Sequence, residues 1–241
     1  SRSNPVTYVK AYDGIRDLFA SQPLAKTQKL LPKDFSFNVA GGRCEACKGD
    51  GVQVVSMQFL ADVELVCEEC KGKRFQNQIL DVVYNDKNIY EVLEMTIEDA
   101  VVFFEGHKAI VDKIKPLEEI GLGYIKLGQS SSTLSGGEAQ RVKLASYLAK
   151  NTNMAKHLFI FDEPTTGLHF YDVQKLLLAM EKLVKNGHTV IVIEHNMDMI
   201  RNADYVIDLG PEGGDNGGNL VFQGTVSDLK KVHNSHTAKF L

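Results

Sequence analysis

Four cysteines in the 241-residue chain fall in one pattern, Cys44-x2-Cys47-x19-Cys67-x2-Cys70. Two close pairs separated by a hairpin-length insert suit a tetrahedral thiolate site, each knuckle supplying two ligands. Lys-Gly follows each pair (Lys48-Gly49, Lys71-Gly72), the glycine permitting a turned backbone and the lysine offsetting thiolate charge. Two disulfides or an iron–sulfur cluster are the alternatives; four thiolates leave no open position, so the expectation is structural zinc.

A second pattern is Leu134-Ser135-Gly136-Gly137-Glu138-Ala139-Gln140-Arg141. Ser135 followed three residues later by Glu138 is a capping box, predicting a helix from here to about Lys150. The glycines let an anion approach backbone N–H groups at the positive end of that helix, a phosphate-reading surface. Downstream, Leu158-Phe159-Ile160-Phe161 ends in Asp162-Glu163-Pro164. A strand delivering two carboxylates to a sheet edge fits Mg²⁺ handling by Asp162 and water activation by Glu163. The strand Val190–Ile193 ends at Glu194-His195, which places an imidazole beside the same edge for a γ-phosphate contact.

The elements that must position these groups can be read from periodicity. Residues 5–20 have helical spacing of Val9, Ile15, Leu18 and Phe19, and a polar, basic connector follows to Lys33. Val52–Val66 has the partial alternation of a β-hairpin, and 89–127 reads as helices, with Thr96–Asp99 as an N-terminal cap. After Gly128 strands alternate with helices. Buried strands are expected at Leu158–Phe161, Thr189–Ile193 and Tyr205–Leu209. An amphipathic helix is expected over Asp172–Asn186, with Val173, Leu176, Leu177, Met180, Leu183 and Val184 on its apolar side and Gly187 as its stop. A glycine-rich turn over Gly210–Gly218, a strand at Leu220–Phe222 and a helix from about Val226 complete the chain. Such alternation implies an α/β fold with a mostly parallel sheet covered on both faces.

Composition narrows the class. Hydrophobic residues make up 44%, enough for a core, and no run approaches the roughly 20 apolar residues that span a bilayer. Ser1–Pro5 carries no apolar signal, so a cytoplasmic, reducing compartment and no membrane partner are expected. The net charge of −4 opposes wholesale nucleic-acid coating, but residues 1–33 carry +4 and the remainder −8. That basic front, with Arg16, Lys26, Lys29 and Lys33, hints at a polyanion. The cysteine segment adds Arg43, Lys73 and Arg74, although its five basic groups are met by six acidic ones between residues 43 and 74.

Together these motifs resemble the ABC-type ATPases: the octapeptide their signature, Asp162-Glu163 the Walker B pair, Thr166–His169 the D-loop and His195 the switch histidine. The pattern is nearer to the UvrA excinuclease family of bacterial nucleotide excision repair. The supporting segments include Ser3-Asn4-Pro5, Phe35–Asn38, Gly41–Cys47, Leu127–Ser130 and Asp208–Gly214. His169 and the four-cysteine insertion separate it from transporter ATPases, which usually place Asp at the former and lack the latter. The resemblance implies ATP and Mg²⁺ use, with Ser135, Gly136, Gly137, Glu138, Gln140, Asp162 and His169 binding nucleotide and Glu163 and His195 catalytic. It further implies damaged double-stranded DNA, the helicase-like UvrB and a UvrA homodimer as partners, and it directs the basic residues toward DNA phosphates. The expected organisation is a basic front (1–38), a zinc module (39–85), a helical signature domain (86–133) and the back of an ATP-binding domain (134–241). A P-loop, G-x-x-x-x-G-K-[ST], is missing from the 241 residues: Gly72-Lys73 is followed by Arg74, and Gln129 does not replace the Q-loop glutamine. A piece cut after the P-loop is therefore expected, inactive as an ATPase by itself. The alternative is a non-enzymatic, zinc-stabilised module binding DNA or protein.

Overall fold

The structure is a computed structural model, which describes residues 3–55, 63–149, 156–214 and 217–241. The chain divides into two units, Ser1–Asn151 and Thr152–Leu241. The helix carrying the octapeptide belongs to the first.

The first unit is largely helical. Asn4 opens it with a reciprocal capping box to Thr7, starting α1 (Pro5–Tyr8). The helical spacing read over 5–20 is shared between two helices: Lys10 takes a left-handed φ of 60°, and α2 (Tyr12–Ala20) starts anew. The polar connector also folds, into α3 (Pro23–Thr27) and a 3₁₀ turn at Pro32–Phe35, each entered through proline, whose fixed φ suits a first helical position. Tyr12, Phe19, Phe35, Phe37 and Phe75 form the aromatic heart of this region; Phe19 and Phe35 lie 5.8 Å apart.

β1 (Val52–Val55) and β2 (Val63–Val66) form the expected antiparallel hairpin, in register from Val52↔Val66 to Val55↔Val63. The middle of that expectation, 56–62, lies outside the described residues. α4 (Asn77–Leu80) leads to a small hairpin, β3 (Val83–Tyr84) and β4 (Lys87–Asn88). Asn85 and Asp86 turn it, both at positive φ, as a two-residue hairpin turn demands. α5 (Ile89–Glu94), α6 (Ile97–Phe103) and α7 (Lys108–Glu119) supply the helices read over 89–127. The Thr96 hydroxyl accepts from the Asp99 N–H at 3.2 Å and donates to the Asp99 carboxylate at 2.6 Å. α8 (Gly136–Leu148) starts at Ser135 as predicted; its expected end at Lys150 lies outside the described residues.

In the second unit β5 (Leu158–Asp162), α9 (Phe170–Lys185) and β6 (Thr189–Ile193) make one βαβ unit. The strands are parallel, with Phe159↔Val190 and Phe161↔Val192 in register, and α9 packs on β6. α9 buries Val173, Leu176, Ala179, Met180 and Leu183, while Val184, expected on this face, is exposed. Gly187, at φ 85°, ends the helix, and the His188 N–H returns to the Leu183 carbonyl. α10 (Met197–Arg201) precedes β7 (Val206–Gly210) and β8 (Asn219–Gly224), and α11 (Val226–Leu229) packs on β8.

Two fold expectations are corrected. Among the described residues the strands after Gly128 form two separate two-stranded sheets, β5–β6 parallel and β7–β8 antiparallel, so they do not make one mostly parallel sheet. A glycine-rich turn is too short for the crossover a parallel β8 would need. The strands also alternate rather than being buried throughout: Phe161 is buried, but Leu158, Ile160, Ile191, Ile193, Ile207 and Leu209 are exposed. A crossover helix lies on one side of the strands it joins, so α9 covers a single face of β5–β6.

Candidate metal centre and phosphate-handling motifs

The four cysteines converge at the base of the β1–β2 hairpin. All are buried, and their sulfurs lie within 4.8 Å of one another. Cys44 and Cys67 Sγ are 3.9 Å apart, and Cys47 and Cys70 Sγ 3.7 Å. Tetrahedral Zn–S bonds of about 2.3 Å require sulfur–sulfur edges of roughly 3.8 Å, which these two separations match. The knuckles form because Lys48-Gly49 and Lys71-Gly72 all take left-handed φ, between 50° and 88°. A Cβ on Gly49 would stand 1.9 Å from the Phe37 carbonyl oxygen, so the close approach admits only glycine. Electrostatics within the cage are uneven. Backbone N–H groups, Cys70's first, hold the Cys67 thiol below its ordinary range, whereas burial raises Cys44 and pushes Cys70 up to about 12. Metal binding therefore has to expel protons from this pocket.

At the start of α8 the capping box is closed on both sides. The Ser135 N–H donates to Glu138 Oε2 at 2.7 Å, and the Glu138 N–H to Ser135 Oγ at 3.3 Å. Tyr124 Oη, from the loop after α7, donates to the other Glu138 oxygen at 2.6 Å. Partial burial opposes the ionised Glu138 carboxyl, but hydrogen bonds from Tyr124 and Ser135 and the Arg141 charge hold it below its ordinary range. Arg141 itself is 1% exposed. A Cβ on Gly136 would meet nothing within 4 Å, so the helix entrance is open to a ligand. Ser135 and Gly136 are exposed, Gly137 is buried, and Gln140 is half-buried one turn on. Neither the Tyr124 contact nor the burial of Arg141 follows from local spacing, so sequence patterns give no signal for them.

The second unit brings Asp162, Glu163 and His195 to the shared carboxyl ends of β5 and β6, with Asp162 paired to Ile193 at the end of the ladder. Glu163 takes a left-handed φ of 43°, and its N–H donates to the Ile193 carbonyl at 2.9 Å. Such backbone is costly for a non-glycine residue and gathers at functional sites. His195 Nδ1 lies 3.8 Å from Glu163 Oε1, both side chains facing solvent. His169 is exposed at the N-cap of α9, without a capping hydrogen bond from its side chain.

The basic residues divide into two groups. Lys26, Lys29, Lys33 and Lys73 are exposed. The three arginines are engaged: Arg16 pairs with Asp13 and lies over the Tyr12 ring. Arg43, with a 14%-exposed side chain, donates to Glu45 at 3.2 Å and to the Asn38 carbonyl at 3.3 Å. Arg74 donates to the Gly128 carbonyl at 3.1 Å and covers Phe37. No described helix is long and apolar enough to cross a membrane.

No protein-family model matches the chain. Among curated proteins it is 55% identical over 240 residues to UvrABC system protein A of Vibrio parahaemolyticus, covering all of this chain and 25% of that protein. The Aquifex aeolicus protein of the same name is also 55% identical over 240 residues, with 26% of its length covered. The crystal structure of UvrA2 from Deinococcus radiodurans superposes with a TM-score of 0.89 at 45% identity, covering the whole chain and 29% of that structure. The chain thus spans about a quarter of the relatives it matches. From end to end it is homologous to UvrABC system protein A.

Proposed function

We propose that the chain is the zinc-bearing, signature-carrying part of a damage-recognition ATPase in UvrABC excision repair. The observation that carries the ATPase reading is the meeting of Glu163 and His195 at 3.8 Å, where two parallel strands end. Homology along the whole chain supports the assignment to excision repair.

The mechanism follows from what each residue offers. Asp162 supplies a carboxylate for Mg²⁺, which when bound neutralises phosphate charge. Glu163, projecting from its strained backbone, accepts a hydrogen bond from the attacking water and orients it. His195 offers an imidazole N–H to the γ-phosphoryl oxygens from the neighbouring strand. The N–H groups at Ser135–Gly137, at the positive end of α8, offer a second surface for phosphate, with Glu138 holding the cap and Gln140 and His169 lining nucleotide contacts. The sequence lacks a P-loop, so a complete site needs residues beyond these 241.

Zinc is the metal proposed for Cys44, Cys47, Cys67 and Cys70, in a structural role. Lys26, Lys29, Lys33 and Lys73 are the cations best placed for phosphates of damaged duplex DNA, read through its distortion. Arg16, Arg43 and Arg74 act there by shaping the surface. UvrB loading and a UvrA-type dimer belong to the whole protein, as does a cytoplasmic location. The proposed organisation is 1–38, 39–85, 86–133 and 134–241, the last continuing an ATP-binding domain from the signature helix.

The test compares this chain with a full-length protein containing it. The full-length protein is expected to hydrolyse ATP, Glu163→Gln to abolish turnover, and the 241-residue chain to show none. Turnover in full-length Glu163→Gln at the unsubstituted rate would refute the assignment.

A further inference from the structure

Glu194 lies between β6 and His195, and its half-buried carboxylate receives four hydrogen bonds. Oε1 accepts from the Thr165 N–H at 2.9 Å and from the Thr165 hydroxyl. Oε2 accepts from the His195 N–H at 2.9 Å and the Asn196 N–H at 3.1 Å. One oxygen thus holds the turn after β5, and the other holds the segment after β6.

We infer that Glu194 is a positioning residue for ATP hydrolysis, a brace that fixes the Glu163 carboxylate and the His195 imidazole relative to each other. The inference rests on the ATPase reading proposed above. Its physical basis is the end of the ladder: beyond Asp162↔Ile193 the β5–β6 pairing stops, and the strands are free to diverge. Glu163 must then be kept in an unfavourable left-handed conformation. Its N–H bond to Ile193 and the Thr166 N–H bond to its carbonyl, 3.1 Å, fix the turn locally. Thr165, two residues on, is tied across to the His195 segment through Glu194.

Capping of the next helix does not account for the arrangement. Asn196 caps α10 itself, accepting from Asp198 and Met199 N–H groups at 3.0 and 3.3 Å. Four donors also require an anion with two accepting oxygens. Glutamine has the same shape but presents an NH₂ to one pair of donors, so that pair must separate. Partial burial works against the charged Glu194, yet the bonds from Thr165, Asn196 and His195 hold its carboxyl below the ordinary range.

The test is Glu194→Gln in a full-length protein containing this sequence, beside Glu163→Gln. Loss of the brace is expected to lower kcat about 10- to 100-fold, as misplacement of reacting groups by about 1 Å does. KM for ATP should stay within about two-fold, since the change is felt in the transition state. Thr165→Ser, which keeps both donors, should retain turnover, and Thr165→Val should fall between. Normal kcat in Glu194→Gln with an inactive Glu163→Gln overturns the inference and leaves the ATPase reading intact. Should Glu194→Gln fail to fold, Thr165→Val decides in the same way. Normal turnover in Glu163→Gln would instead sink the ATPase reading, and the inference that rests on it falls with it.

Discussion

The two units dispose their apolar residues differently. In the first, Phe19, Phe35, Phe75, Phe104, Ile114 and Leu117 are fully buried by helices that pack on one another, and four thiols close the hairpin base. In the second, the strands alternate between half-buried and open positions, with Ile160 and Ile207 each 63% exposed. The first unit generates its order internally, from core and cysteine cage. The second holds its proposed catalytic groups at a strand edge, where hydrogen bonds rather than packing set their positions.

The sharpest way to break this comparison is through the metal. The purified chain should carry about one zinc, and its removal, or Cys67→Ser, should unfold the module at 39–85. Metal contributions of this kind are on the order of 10 kcal/mol. Amide exchange would report the loss; equal loosening of α9 would show that the units are not independently ordered. Next comes packing. Phe19→Ala should cost about 3–5 kcal/mol in urea unfolding, and Ile160→Ala, on the open face, no more than about 0.5 kcal/mol. Similar costs would remove the distinction.

A smaller effect is expected at α8, where Ser135→Ala should cost about 1 kcal/mol through loss of the cap. The Glu138 side of this box adds a pH dependence. Its carboxyl is held below the ordinary range in the folded chain, so its contribution is present above the unfolded value of about 4.3 and is lost as pH falls through the folded one. Thermal unfolding from about pH 7 to about pH 3 should show this slope, flattened in Glu138→Gln. The smallest effect is on DNA: Lys29→Ala or Lys33→Ala should lower the salt dependence of binding by about one unit each, and Arg74→Ala should act through stability instead.

Much of this is legible in the sequence because it is local. Ser135 and Glu138 are three residues apart and close their box within one turn, and Asp162-Glu163 terminates a short apolar run. Gly187 stops α9 by a conformation few other residues tolerate. The elements that local patterns misplace depend on distant partners. Lys10 divides a stretch whose apolar spacing is continuous, and strands that look wholly buried by composition are covered on one side by α9. In the sequence the arginines look like free charges, but Arg43 and Arg74 are engaged by Asn38, Glu45 and Gly128.

The sequence by itself determined the types and spacing of the four clustered thiols, the capped glycine-bearing helix start and the acidic strand end, since each is written in adjacent residues and their backbone preferences. Only the tertiary structure decided that four sulfurs converge within 4.8 Å, that Tyr124 holds Glu138, and that Glu194 joins the turns bearing Glu163 and His195. Those contacts join residues 14 to 29 positions apart, and a buried or bridging partner is chosen by how the chain folds back on itself, which no local pattern records.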